Sequence, residues 1–191
     1  MQALLLYAIM AFFSSDRTSP QPLVDAATIM SMQQVAYHLA TTGLVLPAER
    51  THTRPGWEEW IRVSAKRRTI IVLYCFECIF STMNDLPMFQ CDELRSFPAP
   101  ARKLLWQASD WGRQERGYNQ WLVKWQDQPY LLGELMSCQR RAPAESKRRK
   151  IWLGEVDEFG MMLMIVINGA TTSKSASPSG HSRRLLNWAD L

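Results

Sequence analysis

The sequence predicts an all-α protein, an irregular helical bundle followed by a disordered C-terminal tail. Apolar residues recur at helical spacing between Pro, Gly and Asn breaks, and no alternating pattern is long enough for a useful strand. With 47% hydrophobic and 21% charged residues, the 191-residue chain has enough apolar matter for one core. We place a helical domain at residues 1–170 and a flexible tail, rich in Ser, Thr, Lys, Pro and Gly, at 171–191.

The chain begins with two predicted helices. Residues 2–13 are almost all apolar, so we expect the first helix to be buried on most sides. Its abrupt apolar start suggests an N-terminally truncated domain, and the lack of a basic residue or an A-x-A site around it argues against a signal peptide. The second helix is predicted from Pro22 to Gly43. Its inward face is predicted at Leu23, Ala26, Ala27, Met30, Gln34, Tyr37 and His38.

A long helix is predicted from Trp57 onward. Pro55-Gly56 marks its start, the acidic pair Glu58-Glu59 suits the first turn, and Asn84-Asp85-Leu86-Pro87 ends it. The helix begins amphipathic and becomes apolar all round. We therefore expect its first half to reach solvent and its second half to be enclosed by other helices.

Charged residues inside this helix need partners. Lys66, Arg67 and Arg68 span most of the helix circumference, so at least one of them, and we expect Arg68, must bond a carboxylate or carbonyl group. Glu77 lies in the most apolar block and must be neutralised, paired or aimed at a cavity. The two are nine residues apart, too far for an intrahelical pair, so we expect each to bond another helix.

The second half of the chain predicts shorter elements. Residues 87–100 form a loop with a stiff extended piece at 97–100, and ARKLLWQAS and YLLGELMSC are short helices. Glycines weaken the helical prediction for SDWGRQERGYNQWLVKW. RRAPAESKRRK is predicted to be a basic linker, and IWLGEVDEFGMMLMIVINGA the last helix.

No pattern in the sequence indicates catalysis, a cofactor or a small-molecule ligand. His38, His52 and His181 assemble no triad, and no glycine-rich phosphate loop occurs. The pairs Glu58-Glu59 and Asp157-Glu158 are interpreted as solvated or first-turn charges. We therefore predict that the protein is not an enzyme; a small helical enzyme with a ligand-filled pocket is the weakest alternative.

Metal binding and membrane insertion are likewise disfavoured. Cys75-x-x-Cys78 lacks a second ligand pair, so we interpret both residues as buried structural thiols. The wide spacing of Cys75, Cys78, Cys91 and Cys138 suits a reducing compartment. The apolar runs are shorter than the ~20 residues that span a bilayer.

The charge balance of +4 and pI of about 9.0 is only mildly basic, less than a dedicated nucleic-acid binder usually shows. The run Lys147, Arg148, Arg149 and Lys150 has a composition that nuclear import factors or phosphates engage. A solvated basic loop explains the same run equally well.

The segment WEEWIRVSAKRRTIIVLYCFECIFSTMNDLPMF, followed by CDELRSFPAPARKLLWQASDW, resembles the fungal-specific transcription factor domain. That domain is the helical middle region of fungal zinc-cluster and zinc-finger regulators. The resemblance is specific only from Trp57 to Trp111, and no zinc module precedes it. The matching positions are Trp60, Arg67, Arg68, Glu77, Pro87, Glu93, Leu94, Pro98, Trp106 and Trp111.

The resemblance implies a nuclear transcription regulator, typically of a secondary-metabolite gene cluster. Without a base-reading zinc module, contact with DNA is expected to be indirect, through a protein partner or a second copy of the chain. The alternative is a truncated or accessory product of the same cluster with no regulatory activity.

Overall fold

A computed structural model describes residues 1–14, 24–86, 92–100, 103–126, 128–137 and 143–175, without the side chains of 143–146 and 170–175. Over these ranges the chain is all-α, as predicted, and its only β-type pairing is an isolated bridge. A 3-10 helix spans Asp92–Ser96. The α-helices are α1 (Gln2–Ser14), α2 (Ala26–Thr41), α3 (Pro47–Arg50), α4 (Trp57–Met83), α5 (Lys103–Trp106), α6 (Trp111–Lys124), α7 (Leu132–Met136), α8 (Pro143–Leu153) and α9 (Glu158–Ser175).

Helix α4 is the centre of the bundle, with 27 residues. It begins after Gly56 and ends at Asn84, as the sequence predicts. Among its residues only Glu58, Glu59, Arg62 and the last two are exposed, and none from 63 to 81 is. The predicted change from a solvated first half to an enclosed second half is therefore confirmed.

Helix α1 lies along α4 in the same direction. Gln2 donates a hydrogen bond from Nε2 to Thr69 Oγ1 at 3.0 Å, and the Phe12 ring lies 5.5 Å from Phe76. Only Leu5 and Ala8 are fully buried. The expectation that α1 is buried on most sides is wrong, because one face packs on α4 and the opposite face is exposed.

Helix α2 runs antiparallel to α4 and begins at Ala26, where the Asp25 side chain accepts a hydrogen bond from Thr28 N at 2.8 Å. The predicted start, Pro22, lies outside the described residues. The predicted inward face is also wrong, because its residues Ala26, Ala27, Met30, Gln34 and His38 are exposed. The buried residues are Ile29, Met32, Gln33 and Ala36.

The segment at 97–100 is extended, as predicted, and pairs with residues 130–132. Ala99 N donates to Tyr130 O at 2.8 Å, and Leu132 N donates to Phe97 O at 2.9 Å. Helix α7 then packs so closely on the 3-10 helix that a Cβ atom at Gly133 would lie 2.9 Å from Arg95 O. Residues 92–100 and α7 thus form one unit beside α4.

Two predictions for the second half are wrong. The predicted basic linker is helical from Pro143, and α8 includes the first residues of the predicted last helix. That helix is interrupted by a turn after Leu153 and restarts as α9, which continues through 171–175. The rest of the predicted tail, 176–191, lies outside the described residues.

Candidate functional site: the arginine junction

Five of the family-motif positions converge on one place beside the first half of α4. Trp60, Arg67, Arg68, Pro98 and Trp106 line a single small cavity, together with Glu49 and Tyr118. We call this place the arginine junction, after its two guanidinium groups. It joins α3, α4, α5, α6 and the extended segment at 97–100.

Arg67 forms a bidentate ion pair with Glu49 of α3. Nη1 donates to Oε2 at 2.9 Å and Nη2 to Oε1 at 2.7 Å, and Nη2 also donates to Ser64 Oγ at 3.2 Å. Glu49 Oε2 accepts a further hydrogen bond from Leu46 N at 3.0 Å, which closes the first turn of α3. Arg67 is 6% exposed and Glu49 9%. Such a buried pair depends on complete hydrogen bonding of both partners, which this geometry supplies.

Arg68 bonds the beginning of α9. Its Nη2 lies 2.5 Å from Asp157 Oδ2, and the other oxygen, Oδ1, accepts from Gly160 N at 3.0 Å and caps α9. The guanidinium also lies over Trp106, 4.1 Å from the ring centroid, and near Phe159. Burial lowers the pKa of Arg68, while the bond from Asp157 opposes that shift. The prediction that Arg68 bonds a carboxylate on another helix is confirmed.

The third cation of the run, Lys66, donates to Thr42 Oγ1 at 2.7 Å, just after α2. Lys66, Arg67 and Arg68 therefore bond residues at three different places: the end of α2, helix α3 and the start of α9. Consecutive residues on a helix point in directions about 100° apart, and this spread lets one turn hold three elements.

Aromatic rings complete the junction. Trp60 is buried and lies edge-on to Trp106 and Tyr118, at centroid distances of 6.4 and 6.2 Å. The cavity between the rings and the guanidinium groups measures about 30 Å³, enough for a water molecule or two but not for an organic ligand. Both arginines are already paired with carboxylates, so the junction's evident chemistry is to hold helices together.

The remaining family-motif positions lie elsewhere. Leu94 and Glu93 both lie on the 3-10 helix, where Leu94 is buried in the core and Glu93 is exposed. Trp111 is half exposed at the start of α6 and carries the guanidinium of Arg54 over its ring at 5.5 Å. Pro87 lies outside the described residues.

Glu77 lies in the second half of α4, where it faces Gln33 of α2. Burial raises the pKa of the Glu77 carboxyl to about 8, although a side-chain hydrogen bond with Gln33 works in the other direction. Glu77 Oε1 and Gln33 Oε1 have no hydrogen-bond partner in the described structure. Because burial favours the uncharged form of the carboxyl, we infer that Glu77 is a neutral acid paired with the Gln33 amide. The expected bond from Glu77 to another helix is thus confirmed.

The cysteine pair of α4 is buried. Cys75 and Cys78 are each almost fully covered, as predicted for structural thiols, and burial raises the pKa of the Cys75 thiol further above its ordinary value. Such a thiol is a poor nucleophile at neutral pH. Over the described ranges, no cluster of three or more His, Cys, Asp or Glu side chains could hold a metal ion. Cys91 and Cys138 lie outside those ranges.

The basic run at 147–150 lies on α8. Arg148 is held in place by Glu134 of α7, with Nε to Oε2 at 2.8 Å and Nη2 to Oε1 at 2.9 Å, and it lies 5.1 Å from the Trp125 ring centroid. Burial alone would raise the pKa of Glu134, but the bonds from Arg148 and from Leu131 N together outweigh it and lower that pKa. Lys147 and Lys150 are exposed. The solvated-loop interpretation is therefore wrong for this run, and the import role stays a prediction.

Three polar residues of these sites were not predicted from the sequence: the carboxylates Glu49 and Asp157 and the amide Gln33. No role was predicted for Glu49, although Pro47 followed two residues later by Glu49 is typical of a short capped helix. Asp157 was interpreted as a solvated or first-turn charge, but an Asp before an apolar helical run is more specifically an N-cap signal. Gln33 gave no local signal at all.

Comparisons with known proteins leave the family open: no family model, no curated protein and no solved structure matches this chain. Among the described residues, no helix is both long and apolar enough to cross a bilayer.

Proposed function

We propose that this protein is a nuclear transcription regulator of a fungal secondary-metabolite gene cluster and that it acts through protein–protein contacts, with another protein or with a second copy of itself. One observation carries the protein-binding part: the outward face of α1 is a row of large, uncharged apolar side chains on a helix that is anchored to the core. Monomeric soluble domains rarely leave such a contiguous face uncovered. The transcriptional part rests on the resemblance from Trp57 to Trp111.

The charge distribution supports indirect contact with DNA. Phosphate binding needs cations that are available to the backbone of the duplex. Arg67, Arg68 and Arg148 belong to the two basic runs, and each is bonded to a carboxylate within the fold. Three of the seven cations in these runs are therefore engaged within the fold, which reduces the charge available for phosphate, and promoter choice would come from a partner.

Deletion of the gene tests the regulatory role. We expect transcripts of the biosynthetic cluster to change, and we expect the same direction of change from Leu6→Glu/Met10→Glu, which places two charges on the outward face of α1. The matched control is Val123→Glu on α6, at a side chain that is 72% exposed. Unchanged transcripts in the deletion strain would refute regulation and leave the truncated or accessory product as the explanation.

A fluorescent fusion tests nuclear localisation. Lys147→Ala/Lys150→Ala removes the two exposed cations of the α8 run and spares the structural Arg148. We expect the double variant to lose its nuclear enrichment. Lys103→Ala/Lys124→Ala removes the same charge from partly exposed sites and should stay nuclear. Equal distributions of both variants would refute the import role of the run.

A further inference from the structure

The outward residues of α1 have the spacing of a helix-pairing seam. Ala3, Leu6, Met10 and Phe13 follow one another at steps of three, four and three residues, and Tyr7 lies beside them. We call these five residues the α1 stripe. A three-four repeat of apolar residues is the pattern by which one helix packs along another. The occupant that this pattern fits is therefore a helix.

The α1 stripe is exposed on a helix whose opposite face packs on the core. Leu5, Ala8 and Phe12 on the opposite face pack into the core, and Gln2 bonds Thr69. The exposed fractions are 62% for Leu6, 71% for Tyr7, 64% for Met10 and 59% for Phe13. Because the helix is already docked on α4, a partner would not need to order it first, and binding avoids that entropy cost.

The absence of charged side chains on α1 favours a second copy of the chain as the binding partner. Helices that select a different partner commonly use charged residues beside the seam, and like charges across a seam are repulsive. From Gln2 to Ser14 there is no charged side chain. Two copies of α1 can therefore face each other without bringing like charges together, and the stripe offers no charge with which to prefer a different partner.

The available area indicates a weak dimer. At about 150–200 Å² for a fully exposed large side chain, the stripe presents roughly 450 Å² of apolar surface per copy. Pairing would bury roughly 900 Å² in total from these side chains, which is the range of reversible complexes and below that of permanent ones. A dissociation constant in the micromolar range is expected.

We propose that the α1 stripe binds the α1 stripe of a second copy, so that the protein forms a two-fold symmetric, reversible homodimer. In such an interface the same residues contribute from both sides, and no open-ended assembly follows. The proposal deepens the proposed function, on which it rests for its biological purpose: the dimer would be the form that engages the transcription machinery.

Sedimentation velocity of the purified full chain tests the dimer. Over about 1–100 µM the weight-average sedimentation coefficient should rise from the monomer to the dimer value. Leu6→Glu/Met10→Glu should weaken association at least tenfold, because each dimer would bury four carboxylates. Ile165→Glu on α9 and Val123→Glu on α6 change side chains that are 66% and 72% exposed, and both variants should dimerise like the wild type.

Circular dichroism melts of every variant check that the fold is retained. Tyr7→Ala supplies a milder change, expected to weaken the dimer severalfold without any new charge.

A wild-type chain that stays monomeric at about 100 µM would overturn the proposal, as would a dimer that only Ile165→Glu disrupts. A chain ended at Ser175 that dimerises while the full chain does not would overturn it too, because residues 176–191 would then cover the stripe. If the protein is monomeric but gene deletion still alters the transcripts, the dimer proposal is refuted and the proposed regulatory function stands.

Discussion

The two halves of α4 both bury ionisable side chains, but they offset the cost of burial in opposite ways. In the first half, the buried guanidinium group of Arg67 and the partly buried one of Arg68 keep their charge because Glu49 and Asp157 neutralise them with direct bonds. In the second half, Glu77 has no cation beside it in the described structure, and burial raises its pKa to about 8, so it is neutral at pH 7. A buried charge thus survives only where distant parts of the chain bring it a partner. The ion pairs connect helices through opposite charges, whereas the neutral acid connects α4 to α2 through an uncharged hydrogen bond with Gln33.

The largest effect should follow from breaking the pair between Arg67 and Glu49. Arg67→Met leaves Glu49 buried without a cation, and unfolding should become about 3–5 kcal/mol easier at pH 7. Urea denaturation followed by circular dichroism measures it. The double variant Arg67→Met/Glu49→Gln keeps an acceptor for Leu46 N and should recover part of the loss. A single-variant loss below about 1 kcal/mol would show that Glu49 reaches water.

Glu77→Gln tests the other half of α4. The folded pKa of about 8 exceeds the ordinary 4.5, so the folded state binds more protons between these values and stability falls as pH rises through them. The contribution is fully present below pH 4.5 and lost above pH 8. Relative to wild type, the variant should gain about 2–4 kcal/mol on moving from pH 4.5 to pH 8.

Denaturant unfolding across that pH range provides the measurement. Glu58→Gln, at an exposed position on the same helix, is the matched control and should follow the wild-type pH dependence. A Glu77→Gln profile parallel to the wild type would mean that Glu77 is already ionised in the fold, and the contrast between the two halves would disappear.

Arg68→Lys sharpens the comparison within the first half. The ammonium keeps the charge opposite Asp157 but loses the planar contact with Trp106 and Phe159. We expect a loss of about 1–2 kcal/mol in the free energy of unfolding, measured by the same denaturation. Arg62→Lys, exposed on the same helix, should change little. Equal stabilities of the two variants would mean that the rings contribute nothing.

Lys66→Ala should give the smallest effect. Its bond to Thr42 lies at the surface, where water replaces it readily, so we expect a change below about 0.5 kcal/mol. A loss of stability as large as that of Arg68→Lys would contradict this view. It would mean that the three cations contribute to stability through their charge alone and not according to their burial.

Local patterns predicted the features that depend on neighbouring residues. The all-α class and both ends of α4 follow from helical spacing and from Pro, Gly and Asn breaks. The need of Arg68 and Glu77 for partners on other helices follows from the cost of burying a polar group without one. These arguments need no knowledge of which segments meet.

Features that depend on which segments meet were not accessible. Glu49 and Arg67 are 18 residues apart, and Arg68 and Asp157 are 89 apart. The outward face of α2 carries Met30 and Val35, so its apolar residues do not mark one side, and the inward face was misassigned. Helix α6 continues through Gly117, where the missing side chain leaves room for Leu105: a Cβ atom there would lie 3.0 Å from Leu105 Cδ2, a fit that only the folded neighbour reveals.

Asp157 divides its two oxygens between two tasks, since Oδ1 caps α9 and Oδ2 binds Arg68. Asparagine would keep the cap and lose the charge. Glutamate would keep the charge, but its longer side chain would not place an oxygen correctly for the N-cap hydrogen bond. No other amino acid does both, so in homologues that share this fold, aspartate at 157 and arginine at 68 should be inherited or lost as a unit.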